Sequence, residues 1–594
     1  MIDSKRFLPL AALFVACLFA TRQQAVAQSI KAADWYPEET AVFLTVPSVP
    51  DFLEANAQTS GGQMLQDPKL RAFAGDLWSR LGEQIKQLED RVGVTVDQVK
   101  QIFQGELSFG VVASANQSPA VLLLIEAKDH TDTVEKLLQA VGSRMERGGA
   151  KKTEDDILGT TLVSYERTGN RAREFAYFVR DGYVVLGSDI EVVRGVLERA
   201  VDGIATPPFS ENKKFDLIAT RYRSLQTENP HFVWFADPIE LMRGIAVRQS
   251  QMQLTLALMP VLGLDGLTAV GGAQTFNAPP LDSVSEMHIL LDEPRTGVLE
   301  LINMRPGDLT PEPFVPADVS NYWTVTWDLP ATYQALEKLV DGFRGEGNFQ
   351  RTIADGFKES TDISLEDDLI AGSTGRLSLI TQVLFEGKLN PQSTAFAIEM
   401  KDESVAAELL QRVVAKQSKN LDEMSSGKIT FYVVKRGERP EGMPEEVRRP
   451  QPTFGALGRW LVVTESVEFY REMAAVYEGT ENALADDLEF KLVLSKVKEL
   501  AGKNKPGLLM YTRPEEGIRQ FLNLATNPAV RRGIRSGAER GGNPFIKALA
   551  ETMESNELPT PDELARYFAP AGAFVVDDET GLHMYSFALK RKTD

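Results

Sequence analysis

The stretch Phe175–Ala200, FAYFVRDGYVVLGSDIEVVRGVLERA, decides how the chain is laid out. It reads as a strand, a tight turn, a second strand and an amphipathic helix. Asp181-Gly182 is the turn, because a two-residue primed hairpin needs positive φ at both central positions. Ser188 and Asp189 are adequate N-caps for the helix that follows. The same plan returns at Thr453–Ala475, TFGALGRWLVVTESVEFYREMAA. There Thr464 stands where Gly187 stood, and Thr464 or Ser466 serves as the cap. That echo reads the chain as a tandem duplication.

Working outward, further matches fall in the same order. Gly375-Arg376-Leu377-Ser378 answers Gly105-Glu106-Leu107-Ser108 at an offset of 270, and Ile398–Asp402 answers Ile125–Asp129 at 273. Phe490 answers Phe215 at 275, Pro514-Glu515-Glu516 answers Pro238-Ile239-Glu240 at 276, and Pro330 answers Pro50 at 280. Ile363-Ser364-Leu365-Glu366 answers Val94-Thr95-Val96-Asp97, with a hydroxyl N-cap in both; Thr95 and Gln98 also fit a capping box. The period is far longer than a solenoid unit, so each copy is a whole domain. The expected layout is a signal peptide over 1–27, a first module over 28–302, a linker over 303–320 and a second module over 321–594. The linker, Asn303–Ser320, has four prolines and no hydrophobic period.

Within the first copy, strands are expected at Ala41–Val46, Glu106–Ala113, Ala120–Ala127, Thr160–Glu166, Glu174–Arg180, Tyr183–Gly187, His231–Ala236, Leu267–Phe276 and Val284–Leu291. Helices are expected at Asp51–Ala57, from Asp67-Pro68 through Leu81, Ile85 and Leu88, and at Asp129–Arg144, Asp189–Val201, Asn212–Tyr222 and Ile239–Leu262. Strand groups alternate with single helices and no regular βαβ unit appears. The fold class is therefore α+β: two tandem homologous modules, each a curved antiparallel sheet with helices packed mainly on one face.

Composition places the chain in a compartment. Its 594 residues carry a formal charge of −20. Nucleic acid is excluded as a partner, since no basic footprint exists to neutralise phosphates. Lys5 and Arg6 precede an apolar run, Phe7–Ala20, too short to span a bilayer, and Ala25-Val26-Ala27 is a small-x-small cleavage site. These residues read as an export signal. Its removal takes away three cations and Asp3, so −20 becomes −22. The expected location is the periplasm or outside, with no transmembrane segment after cleavage. Cys17, the one cysteine, lies in the apolar run; lipid anchoring through it is a minor alternative.

The search for chemistry finds no cofactor motif. There is no GxSxG, P-loop, GxGxxG or HExxH. Of the four histidines, His130 is answered by Glu403 and His231 by an apolar stretch. His288 and His583, each in the last strand of its copy, are the pair that could correspond. Acidic clusters occur at Glu154-Asp155-Asp156, Glu366-Asp367-Asp368, Asp486-Asp487 and Asp577-Asp578-Glu579. None has the oxygen-ligand spacing of a calcium loop or an aromatic sugar-stacking context, and they read as solvated faces. No catalytic, cofactor-binding or metal residue is assigned.

Three further stretches differ between the copies. Ile239–Leu262 is rich in Met and Leu, which suits adaptable apolar contacts. Arg436–Pro452 is a long charged insertion, expected to be a solvated loop. The basic run Arg531–Gly537 reads as a locally neutralised loop.

The export signal, the Pro37–Val46 entry strand and the Gly182–Gly187 hairpin strand with its Ser-Asp helix start resemble an exported bacterial family catalogued only as a domain of unknown function (DUF 3352 type). The resemblance covers most of Ala33–Leu291 and, more weakly, the second copy. It implies no activity, cofactor or site residue. The functional expectation is an exported non-enzymatic envelope protein that binds a protein partner or an apolar ligand. The alternative is a hydrolase acting on an envelope polymer or peptide through carboxylates.

Overall fold

The computed structural model describes residues 30–82, 86, 95–113, 118–167, 173–202, 207–225, 230–246, 250–385, 387–443, 445–540 and 544–591. The expected export signal with Cys17 lies outside the described residues, as do Ile85 and Leu88. The fold is α+β. The chain divides into two compact units. One takes in the chain up to Met259, Leu267–Leu291 and Gly541–Glu557; the other takes in Pro260–Gly266, Asp292–Arg540 and Leu558–Asp594.

The strands of the first unit are β1 (Thr40–Val46), β2 (Leu107–Val112), β3 (Ala120–Glu126), β4 (Lys151–Ile157), β5 (Thr160–Arg167), β6 (Arg173–Arg180), β7 (Tyr183–Gly187), β8 (Phe232–Ala236), β9 (Leu267–Phe276) and β10 (Leu281–Leu291). They pair antiparallel in the order β4-β5-β6-β7-β3-β2-β1-β8-β9-β10. The second unit has β11 (Asn321–Thr326), β12 (Ser373–Val383), β13 (Gln392–Met400), β14 (Leu421–Ser426), β15 (Ile429–Val434), β16 (Thr453–Leu457), β17 (Trp460–Thr464), β18 (Leu508–Thr512), β19 (Ala571–Asp578) and β20 (Gly581–Leu589). Their order is β14-β15-β16-β17-β13-β12-β11-β18-β19-β20, again antiparallel throughout.

The hairpin at Asp181-Gly182 forms as its dipeptide requires, with φ of 50° and 81°. The helix behind it runs Ile190–Asp202. Asp189 caps it, its Oδ1 accepting from Val192 N at 3.0 Å. Ser188 does something else: its Oγ accepts from Val121 N at 2.9 Å and ties the helix start to β3. Gly187 lies opposite Leu122. A Cβ there would come within 2.6 Å of Val193 Cγ2 and 2.9 Å of Leu122 Cδ2, so the glycine makes room for the leucine. In the second unit the facing pair is Ala395 and Thr464. The bulk has moved from one strand to the other.

Helices cover both faces of the first sheet, which corrects the expectation that they pack mainly on one face. One core joins Phe43, Leu122, Leu124 and Phe178 to Val193, Leu197, Phe215 and Ile218 from Ile190–Asp202 and Lys213–Leu225. The other joins Leu107, Leu123, Val163 and Tyr177 to Val49, Phe52, Ile102, Val134 and Leu138 from Val49–Ala57, Val96–Ile102 and Thr131–Arg147. Each large side chain so buried contributes roughly 1.5–3 kcal/mol relative to exposure. Such a sheet needs apolar residues at both parities of its central strands.

Two boundary expectations and one loop expectation differ in the structure. Asn303–Ser320 is no free linker: Phe314, Val315 and Val319 are fully buried in the second unit, and Glu312 beside them is 2% exposed. Gly541–Glu557 belongs to the first unit, where Glu551 meets Arg80 at 3.1 Å and Asn556 meets Asp76 at 2.8 Å on the helix Pro68–Arg80. The basic run at Arg531 is helical, within Pro528–Arg540. The Arg436–Pro452 insertion is pinned at its end, where Arg448 N donates to Asn390 Oδ1 at 2.7 Å and the guanidinium lies over Phe385 at 4.6 Å. The long helix expected over Ile239–Leu262 is described as Pro238–Ala246 and Ser250–Leu262.

Candidate functional site

The central strands of the second unit carry apolar side chains at both parities. Tyr322, Ile380, Ala395 and Val462 point to one face, where all four are fully buried. Their neighbours Trp323, Leu379, Phe396 and Val463 therefore point to the other. These four sit directly opposite one another across β11, β12, β13 and β17. Met510 on β18 extends the row beyond Trp323, and Phe454 on β16 extends it beyond Val463.

The row is open to solvent. Trp323 is 42% exposed, Leu379 38%, Phe396 44% and Val463 49%. The helix Glu403–Gln417 covers only the adjoining row, packing Ala406 and Leu409 against Ile398 and Leu461, and the far end at Phe454 and Tyr432. On the other side the row is bounded by Thr512, Asn321, Thr381 and Thr394, which are cross-strand neighbours of each other. Thr512 Oγ1 donates to Asn321 Oδ1 at 2.7 Å, and the Thr381 and Thr394 hydroxyls lie 3.4 Å apart. The result is an apolar belt with a polar edge on one side and, at β13 and β17, a helix on the other.

The same row in the first unit runs Leu186–Leu123–Phe109–Leu44–Trp234. There Leu123 is only 8% exposed, and Phe109 and Leu186 pack against the helix-covered core. In the first unit Leu186, Leu123 and Phe109 of this row pack with helix residues, whereas the second unit leaves its four matching central positions open.

The second unit also has a cleft of about 1180 Å³, lined by Arg295, Arg305, Lys338, Asp328, Asp577 and Glu579 among others. Its charges are largely consumed. Arg295 Nη1 holds Asp577 Oδ2 at 2.9 Å, Arg305 pairs with Asp328, and Lys338 holds Glu300 at 2.9 Å. Asp578 Oδ1 caps its own turn by accepting from Thr580 N at 2.9 Å. The other acidic clusters are likewise engaged. Asp155 binds Arg194 at 2.8 Å on the strand β4, Asp368 binds Arg412 at 2.9 Å, and Asp487 caps the helix Leu488–Ala501. Among the described residues no group of His, Cys, Asp and Glu could hold a metal ion.

Two buried acids escaped the sequence reading. Glu106, 1% exposed, caps the helix Lys31–Trp35 from a distance: its carboxylate accepts from Lys31 N at 2.7 Å and Ala32 N at 3.1 Å. Ser108 Oγ donates to it at 2.6 Å, and its own N–H donates to Glu126 Oε2 at 2.9 Å. Burial pushes this carboxyl up to about 7, with the Glu126 charge adding to the rise. In the second unit Arg376 occupies the matching place and holds Glu312 at 3.1 Å. Ser378 donates to Glu312 at 2.6 Å, as Ser108 does to Glu106. Burial raises Glu312 as well. Both acids fasten the segment that leads into their module, and neither lines a described cavity.

The histidines do not converge. His231 Nδ1 accepts from Phe276 N at 3.2 Å, and His130 precedes the helix Thr131–Arg147. His288 and His583 do not correspond. His288 faces Gly271, which lies opposite Phe235; the matching Gly572 lies opposite Tyr511 and faces Phe587. On the Met-rich helix, Met259 is buried while Leu254 and Leu258 are 64% and 44% exposed.

No protein-family model, curated protein or solved structure matches this chain. No described helix is long and apolar enough to cross a membrane.

Proposed function

We propose that this is an exported, non-enzymatic binding protein built from a duplicated module, with the apolar belt of the second unit as its binding surface. The belt carries the reading. Four large apolar side chains, each more than a third exposed and aligned across four strands, would otherwise sit in water. Contiguous exposed apolar patches rimmed by polar residues mark interaction sites.

Three things support duplication. Ten strands follow one order in both units. The trio Phe43, Phe215 and Phe235 has its match in Tyr322, Phe490 and Tyr511, packed in the same relation. The Thr45–Ser108 and Thr324–Ser378 hydroxyl pairs sit at the same register, at 2.6 and 3.1 Å. Export rests on the Met1–Ala27 pattern and on the resemblance to an exported family.

The neutral dye Nile red tests the binding surface. Titrated into the folded chain, it is expected to saturate with a blue shift, and Phe396→Asp is expected to abolish the saturable component. No saturable binding, or binding unchanged by Phe396→Asp, refutes the reading.

A further inference from the structure

We infer that the belt receives an amphipathic helix with a basic polar face, contributed by another protein; the inference rests on the binding reading above. From Val463 to Met510 the open row crosses five strands, about 19 Å at the usual strand spacing. That is the length of about 13 helical residues. On one side it ends at the Thr512–Thr394 polar edge, and on the other the helix Glu403–Gln417 covers the next row at β13 and β17. A long strip only one or two residues wide matches the apolar stripe of one helix.

An acyl chain lying on this open strip would keep its outer side in water. An amphipathic helix buries its apolar stripe and presents a polar face that water solvates. A second copy of the chain would bring another −20 of charge, and like charges oppose association.

In the first unit three residues of the corresponding row, Leu186, Leu123 and Phe109, already pack in one core with helix residues of this same chain, among them Val49 and Phe52 of Val49–Ala57 and Val134 and Leu138 of Thr131–Arg147. A helix is the cover this sheet accepts. The chain's −20 charge favours a cationic outer face on the incoming helix.

The test uses a labelled Leu/Lys model peptide of about 18 residues, long enough to fold as a helix. It is compared with a scrambled isomer of equal composition and with the acyl probe cis-parinaric acid. Fluorescence anisotropy at moderate salt is expected to give saturable binding of the amphipathic isomer, at least tenfold tighter than the scrambled one. Phe396→Asp and Val463→Asp are expected to weaken it at least tenfold. Both sites are partly exposed, and circular dichroism confirms that each variant remains folded. Equal binding of the two isomers overturns the inference, because charge alone then explains it. Peptide binding that survives both substitutions also overturns it. If only parinaric acid binds, and the substitutions abolish that, the helical partner is refuted while the apolar binding surface stands. If no probe binds, both fall.

Discussion

Replacing Glu106 with Gln tests the buried acid that fastens the leading helix of the first unit. The folded carboxyl titrates near 7 against an ordinary 4.5, because burial and the Glu126 charge both oppose its ionisation. Between those two values the native state holds the proton and the unfolded state has lost it. Stability therefore falls as pH rises through this window. The contribution is fully present below 4.5 and lost above 7. The displacement corresponds to about 3 kcal/mol. Gln mimics the protonated acid at every pH. It keeps one acceptor for the Lys31 and Ala32 amides and turns its NH2 toward the other, at a cost of about 1 kcal/mol. The variant is thus expected to be less stable than wild type at pH 4.5 and more stable at pH 8, by about 2 kcal/mol. Urea unfolding across this range, with wild type and variant side by side, reads the crossover. Glu312 is present in both proteins, so its own titration cancels. Parallel stability curves would refute the raised titration of Glu106 in the native state.

Arg376→Met leaves Glu312 buried without its cation, and a loss of about 3–5 kcal/mol is expected in denaturant unfolding; Arg376→Met with Glu312→Leu should recover most of it. Gly187→Thr inserts a Cβ against Leu122 and Val193 and is expected to cost about 1–3 kcal/mol. Adding Leu122→Ala reproduces the Ala395–Thr464 pairing of the second unit, and a double-mutant cycle should show favourable coupling. Asp189→Ala removes the helix cap and Ser188→Ala one hydrogen bond to β3; each should lower stability by about 1 kcal/mol without altering peptide or dye binding.

Much of the fold could be read from local pattern. The Asp181-Gly182 turn, the Thr95 capping box and most strands of the first unit depend on neighbours within a few residues, and they form where expected. The edge strand Lys151–Ile157 was missed because its residues are polar at both parities, as suits an edge that meets water. The role of Phe314-Val315 was hidden by four surrounding prolines, although an adjacent apolar pair in a linker was itself a signal. Glu106 and Glu312 could not be picked out, since a carboxylate's burial depends on strands and helices distant in sequence.

The belt marks the same division. That β11, β12, β13 and β17 each carry apolar residues at both parities, with polar ones such as Thr324, Arg376 and Ser378 among them, is written in the sequence. Which face receives cover was settled by tertiary packing. Helix Glu403–Gln417 lands on Ile398 and Leu461 and stops short of Phe396 and Val463. Side-chain alternation is a property of each strand alone. Where a helix comes to rest is a property of every residue it must bury, and so the open row became visible only once the sheet was assembled.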